Sequence, residues 1–181
     1  MGLKLGDIDR LFRSHGHLAY AGEPVTQLDH ALQSAALAEA QAAPAQLVTA
    51  ALLHDLGHLL NLQGDTPSAR GIDDRHQYFA IPFLRPLFGA AVVEAIRLHV
   101  DAKRALCSLE PEYYGALSED SRRSLTLQGG IFSRAETQSF LAKPYAAEAL
   151  RVRRWDDAAK VPGAATPPLA HFLEIAARCA V

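Results

Sequence analysis

The chain has 181 residues, 49% of them apolar, with a formal net charge of −2. That length buries a core without disulfide or metal staples, and the two cysteines, Cys107 and Cys179, fall in no CxxC spacing, which points to a reducing, cytoplasmic setting. Basic residues are scattered apart from Arg151-Val152-Arg153-Arg154, MGLKLGDIDRLF lacks the apolar run of a signal peptide, and no segment approaches the ~20 apolar residues of a membrane span. Nucleic acid and membrane are therefore excluded as expected partners.

Alanine and leucine dominate, β-branched runs are scarce, and apolar residues recur every three or four positions, so the chain reads as all-α, one compact helical domain over residues 1–181 with no strand. The second helix gathers Val25, Leu28, Leu32 and Ala35 into one stripe, takes Pro24 in its first turn and carries His30. The third starts near Pro44, runs through Leu47, Ala51, Leu52 and Leu56, and ends in the Gly-, Pro-, Asp- and Ser-rich loop 61–70, which puts His54, Asp55 and His58 in its last turns. A fourth begins near Asp73-Asp74 and contains His76; a fifth, Ala90 to Val100, carries His99 in its last turn. Later helices are expected over Ser118–Leu127, Arg134–Leu141, Ala146–Asp156 and Pro168–Ala180.

The chemistry concentrates in His54-Asp55-Leu56-Gly57-His58. His54 and His58 share a helical face, and Asp55 is turned about 100° from His54, so one helix offers imidazole and carboxylate to one point. Histidines at a helix end also serve as ordinary dipole-stabilised caps. Asp55, however, is set among Ala51-Leu52-Leu53 and Leu56, where an ionised carboxylate is costly unless paired or coordinated. His30, His54, His76 and His99 follow one another by 24, 22 and 23 residues, one on each of four successive helices, as a bundle-core metal site requires. Imidazole and carboxylate without thiolate suit iron, manganese or zinc. His15, His17 and His171 read as ordinary core or surface residues.

These residues resemble the HD-domain superfamily: a histidine (His30), a His-Asp dyad (His54-Asp55) and a distant aspartate (Asp156), with His76 and His99 as the further pair of dinuclear members. By default such a resemblance implies a metal-dependent phosphohydrolase acting on nucleotides or phosphate esters. YAGEPVTQLDH (residues 20–30), HVDAKR (99–104), LSEDSRRSLTLQGG (117–130) and RRWDDAAK (153–160) bring the chain closer to one branch. They resemble the small mixed-valent di-iron oxygenases that cleave the carbon–phosphorus bond of 1-hydroxyalkylphosphonates, among them enzymes of 2-amino-1-hydroxyethylphosphonate and its trimethylammonio analogue.

That resemblance covers about residues 20–160 and implies an Fe(II)/Fe(III) pair. One iron would be held by His30, His54, Asp55 and Asp156, and the other by His76 and His99, with Asp55 bridging. Asp156 follows the tryptophan directly, as the family's ligand does; Asp157 is the weaker candidate. The small-molecule phosphonate would meet Lys103, His58, Ser121, Ser124 and Gln128. Tyr20 would occupy the open position of the second iron until substrate arrives, Glu23 then accepting its hydroxyl, and dioxygen would be the co-substrate. Glycine or glycine betaine and phosphate would be the products. A quaternary cation would favour an aromatic cage, for which Tyr78, Phe79, Tyr113, Tyr114 and Phe132 are candidates. Three positions depart from the relatives' pattern, Gln77 after His76 and Ile131-Phe132 after the paired glycines, and the latter pair bears on the pocket wall.

Overall fold

Thr26 begins the helix that carries the first histidine. Its hydroxyl accepts from the Asp29 N–H at 3.1 Å while the Asp29 carboxylate accepts from the Thr26 N–H, a reciprocal cap that starts α2 (Gln27–Ala40). Pro24 therefore lies before the cap and not in the first turn. The structure is a computed structural model and describes residues 2–20, 22–64 and 66–181. Before α2 comes α1 (Leu5–His15), which buries Ile8 and Phe12. After it comes α3 (Ala45–Leu53), buried from Leu47 onward.

The continuous third helix expected from the sequence is broken. His54 and Asp55 leave α3, Asp55 adopts φ −103° and ψ 11°, and α4 (Leu56–Leu60) begins directly after it. A short 3₁₀ turn (Pro67–Arg70) leads to α5 (His76–Phe79) and α6 (Ile81–Leu84), each a single turn. Asp73-Asp74 does not start a helix. Arg75 at φ 50° reverses the chain, and α5 starts at His76 itself. The fifth predicted helix is nearly twice as long as expected: α7 (Ala90–Leu109) carries His99 in its middle and Lys103 one turn on. The chain then forms α8 (Tyr113–Ala116), α9 (Glu119–Leu127), α10 (Arg134–Leu141), α11 (Ala146–Ala158) and α12 (Leu169–Ala177).

The all-α reading holds. Among the described residues there is no strand, only isolated β-bridges between Ala19 and Thr26 and between Phe88 and Ala180, and no helix is long and apolar enough to cross a membrane.

Small side chains set the architecture. Ala31, Ala35 and Ala38 on α2 and Ala50 and Ala51 on α3 are buried, so the two helices approach closely, while α7, α11 and α12 pack around α3. Leu47, Leu52, Leu53, Ile96, Val152, Trp155 and Phe172 fill the space between them. Burying each such side chain is worth about 1.5–3 kcal/mol, so this interior carries most of the driving force for folding. It also fixes where the histidine- and aspartate-bearing stretches of α2, α3, α7 and α11 meet. Gln33 ties the chain after α11 to α2, its amide donating to the Val161 carbonyl at 2.9 Å and accepting from the Val161 N–H at 3.0 Å.

Candidate metal centre and substrate pocket

At the break after α3, Asp55 points its two oxygens in opposite directions. Oδ2 lies 3.3 Å from His54 Nε2 and 3.5 Å from His30 Nε2, whereas Oδ1 lies 3.2 Å from His76 Nε2 and 3.6 Å from His99 Nε2. Asp156, from α11, joins the first set, its Oδ1 3.4 Å from His30. The six predicted ligands thus form two groups sharing Asp55: His30, His54, Asp55 and Asp156, then Asp55, His76 and His99. All six are buried.

The donor set fits metal ions. His30 Nδ1 donates to the Ala159 carbonyl (2.9 Å), His54 Nδ1 to Ala51 (2.8 Å) and His99 Nδ1 to Ile96 (2.7 Å), which leaves Nε2 of each neutral ring as a lone pair. His30 and His54 present these Nε2 atoms to each other at 3.1 Å, and His76 and His99 do so at 3.2 Å. Facing lone pairs repel unless a cation lies between them. The carboxylates make the same demand: against burial, which opposes charge, Asp55 and Asp156 raise His54 to about 10, and Asp55 and Asp74 raise His76 to about 9. His99, most affected by burial and further by the positive rings of His54 and His76, drops to about 4. A metal ion in each group satisfies the carboxylates without those protons.

Glycine makes the second group possible. A Cβ on Gly57 would stand 2.1 Å from the His76 carbonyl oxygen and 2.8 Å from its Cα, so α4 and α5 cross backbone to backbone here. Arg75, at a positive φ that a non-glycine residue adopts at a cost, aims the chain into that crossing.

A cavity of about 60 Å³ opens beside the second group, lined by His76, His99, Asp55 and Asp156 but not by His30 or His54. Tyr20, His58, Lys103, Ser121, Ser124 and Gln128 also line it. Lys103 is 2% exposed, and its ammonium donates to Ser124 Oγ at 2.8 Å and to the Ser121 carbonyl at 3.4 Å. Burial, and then Arg153 nearby, push it down to about 7. The Gln128 side-chain oxygen is buried without a hydrogen-bond partner among the described residues. Arg104 pins the turn after α9 through the carbonyls of Gly129 (2.9 Å) and Gly130 (2.7 Å), both at positive φ.

A model of the HD domain matches residues 28–158. The chain is 43% identical to hydroxymethylphosphonate dioxygenase of Gimesia maris over 94% of its own length and 85% of that protein. It is 36% identical to 1-hydroxy-2-(trimethylamino)ethylphosphonate dioxygenase (glycine-betaine-forming) of Leisingera caerulea, over 94% of this chain and 87% of that one. The chain belongs to the HD-domain family.

In this HD domain two expectations about Tyr20 change. Its hydroxyl donates to Asp55 Oδ2 at 2.9 Å and lies 3.4 Å from Asp156 Oδ1, while its ring stacks on His30 at 3.9 Å. Those bonds set the phenol on the four-ligand side of the bridge and not on the His76–His99 side. Glu23 lies outside the cavity wall and pairs with Lys160 at 3.2 Å. None of Tyr78, Phe79, Tyr113, Tyr114 and Phe132 lines the cavity. Phe132 is buried in a side cluster with Phe140, Ile131 is 48% exposed, and Gln77 faces a separate surface hollow, so none of the three departing residues lines the cavity.

Three residues of the HD domain escaped the sequence reading. Arg153 is buried, its Nη1 2.8 Å from Asp156 Oδ2, with further bonds to Asp157 and to the Tyr113 hydroxyl. It holds the Asp156 carboxylate below the usual range despite burial, while Asp157 bonds Arg153 and the Tyr113 hydroxyl and joins neither metal group. Its spacing of three and four residues from Asp156 and Asp157 on one helix was the available signal. Asp74 and Gly57 left no such periodic mark.

Proposed function

We propose that this chain is a dioxygenase that cleaves the carbon–phosphorus bond of a 1-hydroxyalkylphosphonate, releasing phosphate and a carboxylate. The observation that carries the reading is the pair of imidazole couples on opposite oxygens of Asp55, the second couple opening onto a cavity that also contains a buried lysine. The activities named for two relatives over nearly the whole chain support it. His30, His54, Asp55 and Asp156 would hold one iron and Asp55, His76 and His99 the other, as an Fe(II)/Fe(III) pair. When bound, that pair supplies the dioxygen activation and one-electron steps that no side chain offers.

The chain's own residues bind and orient. Lys103, Ser121, Ser124, Gln128 and His58 line one cavity and together offer the charge and hydrogen bonds that phosphonate oxygens need. Tyr20 keeps its proton on the Asp55–Asp156 carboxylates, closing the pocket beside the bridge, and the Glu23 carboxylate, paired with Lys160, would have to leave that partner to receive the hydroxyl once substrate displaces it. Burial of the ligands keeps bulk water from the reacting carbon.

The balance closes without an added reductant. The C1–H and C1–P bonds break, C1 loses four electrons and dioxygen gains four. One dioxygen oxygen enters the carboxylate and the other the phosphate, which leaves as dihydrogen phosphate carrying the C1 and hydroxyl protons. Tyr20 and histidines are the only aromatic rings among the described lining residues, which favours hydroxymethylphosphonate or 2-amino-1-hydroxyethylphosphonate over the trimethylammonio analogue. The free cysteines Cys107 and Cys179 support a cytoplasmic setting.

The test is phosphate release by the iron-containing protein from these three phosphonates, with and without dioxygen. Release is expected only with dioxygen, one phosphate per dioxygen consumed, and fastest on the smaller substrates. Phosphate freed from nucleotides or esters under nitrogen, with none from any phosphonate in air, would make the chain a phosphohydrolase.

A further inference from the structure

Asp74 lies outside both proposed metal groups, yet each of its oxygens meets an imidazole. Oδ1 accepts from His76 Nδ1 at 2.8 Å and from the His76 backbone N–H at 3.3 Å; Oδ2 accepts from His58 Nδ1 at 2.8 Å. The two rings stack, with centroids 4.1 Å apart and planes 26° apart. His58 Nε2 then points toward Asp55 Oδ1, 3.9 Å away, at the cavity wall. His76 belongs to the second metal group, and His58 faces the space where the substrate would sit.

We propose that Asp74 is a positioning residue that fixes the proton on Nδ1 of both His58 and His76, aiming one Nε2 lone pair at the metal and the other Nε2 at the substrate. The metal-binding half rests on the dinuclear reading above. An ionised carboxylate is the one side chain that turns an acceptor oxygen, and no donor, to each of two Nδ1–H groups on opposite sides. It also links the two rings, because a change in either is felt by the oxygen pair that holds the other.

An isosteric swap separates the two halves. In Asp74→Asn the amide oxygen accepts from one ring only, and the amide nitrogen must donate to the other. The His76 side has two donors, the ring and the backbone N–H, so the oxygen stays there and the amide nitrogen turns to His58. His58 must then carry its proton on Nε2. The D74N protein is expected to keep the wild-type metal content, to show the His58 tautomer exchanged in the nitrogen-15 imidazole shifts of the zinc-loaded full chain, and to raise KM about 10–100-fold with kcat much less affected. Asp74→Ala leaves both rings unheld and should lower metal content from two to about one per chain by elemental analysis.

Wild-type imidazole shifts in D74N, or full metal content in D74A, would overturn the proposal. So would a third metal equivalent in the wild type that is lost in D74A, because Asp74 would then be a ligand in a His58–Asp74–His76 site. The shift and metal measurements need no turnover, so they stand even if no phosphonate proves to be a substrate.

Discussion

Replacing Gly57 by alanine sets two effects against each other. Gly57 lies in α4 with ordinary helical geometry, so alanine alone would stabilise the folded chain by about 0.5–1 kcal/mol. The added methyl, however, would sit 2.1 Å from the His76 carbonyl oxygen and 2.7 Å from its carbonyl carbon, atoms of a main chain that cannot rotate away. Relief needs a backbone shift on the order of 1 Å, and overpacking of this kind costs about 1–3 kcal/mol. Sterics win by roughly 1–2 kcal/mol, which for a chain of this size is a fall of about 2–8 °C in the Tm of the metal-free protein.

The functional effect is larger, because metal donors tolerate only about 0.2 Å of displacement and the shift falls on His76. G57A should fold, retain the metal at His30, His54, Asp55 and Asp156, and lose the second. Calorimetry on the metal-free chain and elemental analysis of the loaded one measure the two parts. Full metal content with an unchanged or raised Tm would refute the argument that the α4–α5 crossing places His76.

Lys103 sets a pH dependence. Because burial and Arg153 bring it down to about 7, its charge is present below that pH and lost above it, so kcat/KM for a phosphonate should fall as pH rises through 7. Lys103→Met should abolish that limb and raise KM about 10–100-fold, the worth of a charged hydrogen bond, as a pH–rate profile of both proteins would show. Arg153→Met leaves Asp156 and Asp157 without their cation in a buried setting and should cost about 3–5 kcal/mol in chemical denaturation. Arg153→Lys should recover less than half of that loss, since a single ammonium cannot span Asp156, Asp157 and Tyr113 together.

The histidine spacing was legible because each of His30, His54 and His99 sits on or directly after a helix whose apolar face is unmistakable. The break at His54-Asp55 was not, because the apolar spacing of Leu52, Leu53, Leu56, Leu59 and Leu60 continues helically across it, and the break is fixed by the tertiary placement of one carboxylate between two imidazole couples. Asp73-Asp74 looked like a helix start because aspartate favours the N-cap, yet the carboxylate of Asp74 is spent on two histidine side chains. The extent of α7 was readable, since Ala105 and Leu106 continue its buried face well past Val100. That Tyr113 bonds Asp157 and lines no substrate pocket depends on two segments meeting in space, and no local pattern encodes it.

The helix break at Asp55 also divides the centre mechanically. One half is built wholly on α2, α3 and α11, packed into the main core, while the other pairs His99 of the long α7 with His76 from a one-turn helix. A single peptide joins a stiff socket to a compliant one. The stiff socket should fill first and release its ion last, and amides of α5 should exchange with solvent faster than those of α3. Adjustment to an arriving substrate should then fall first on His76.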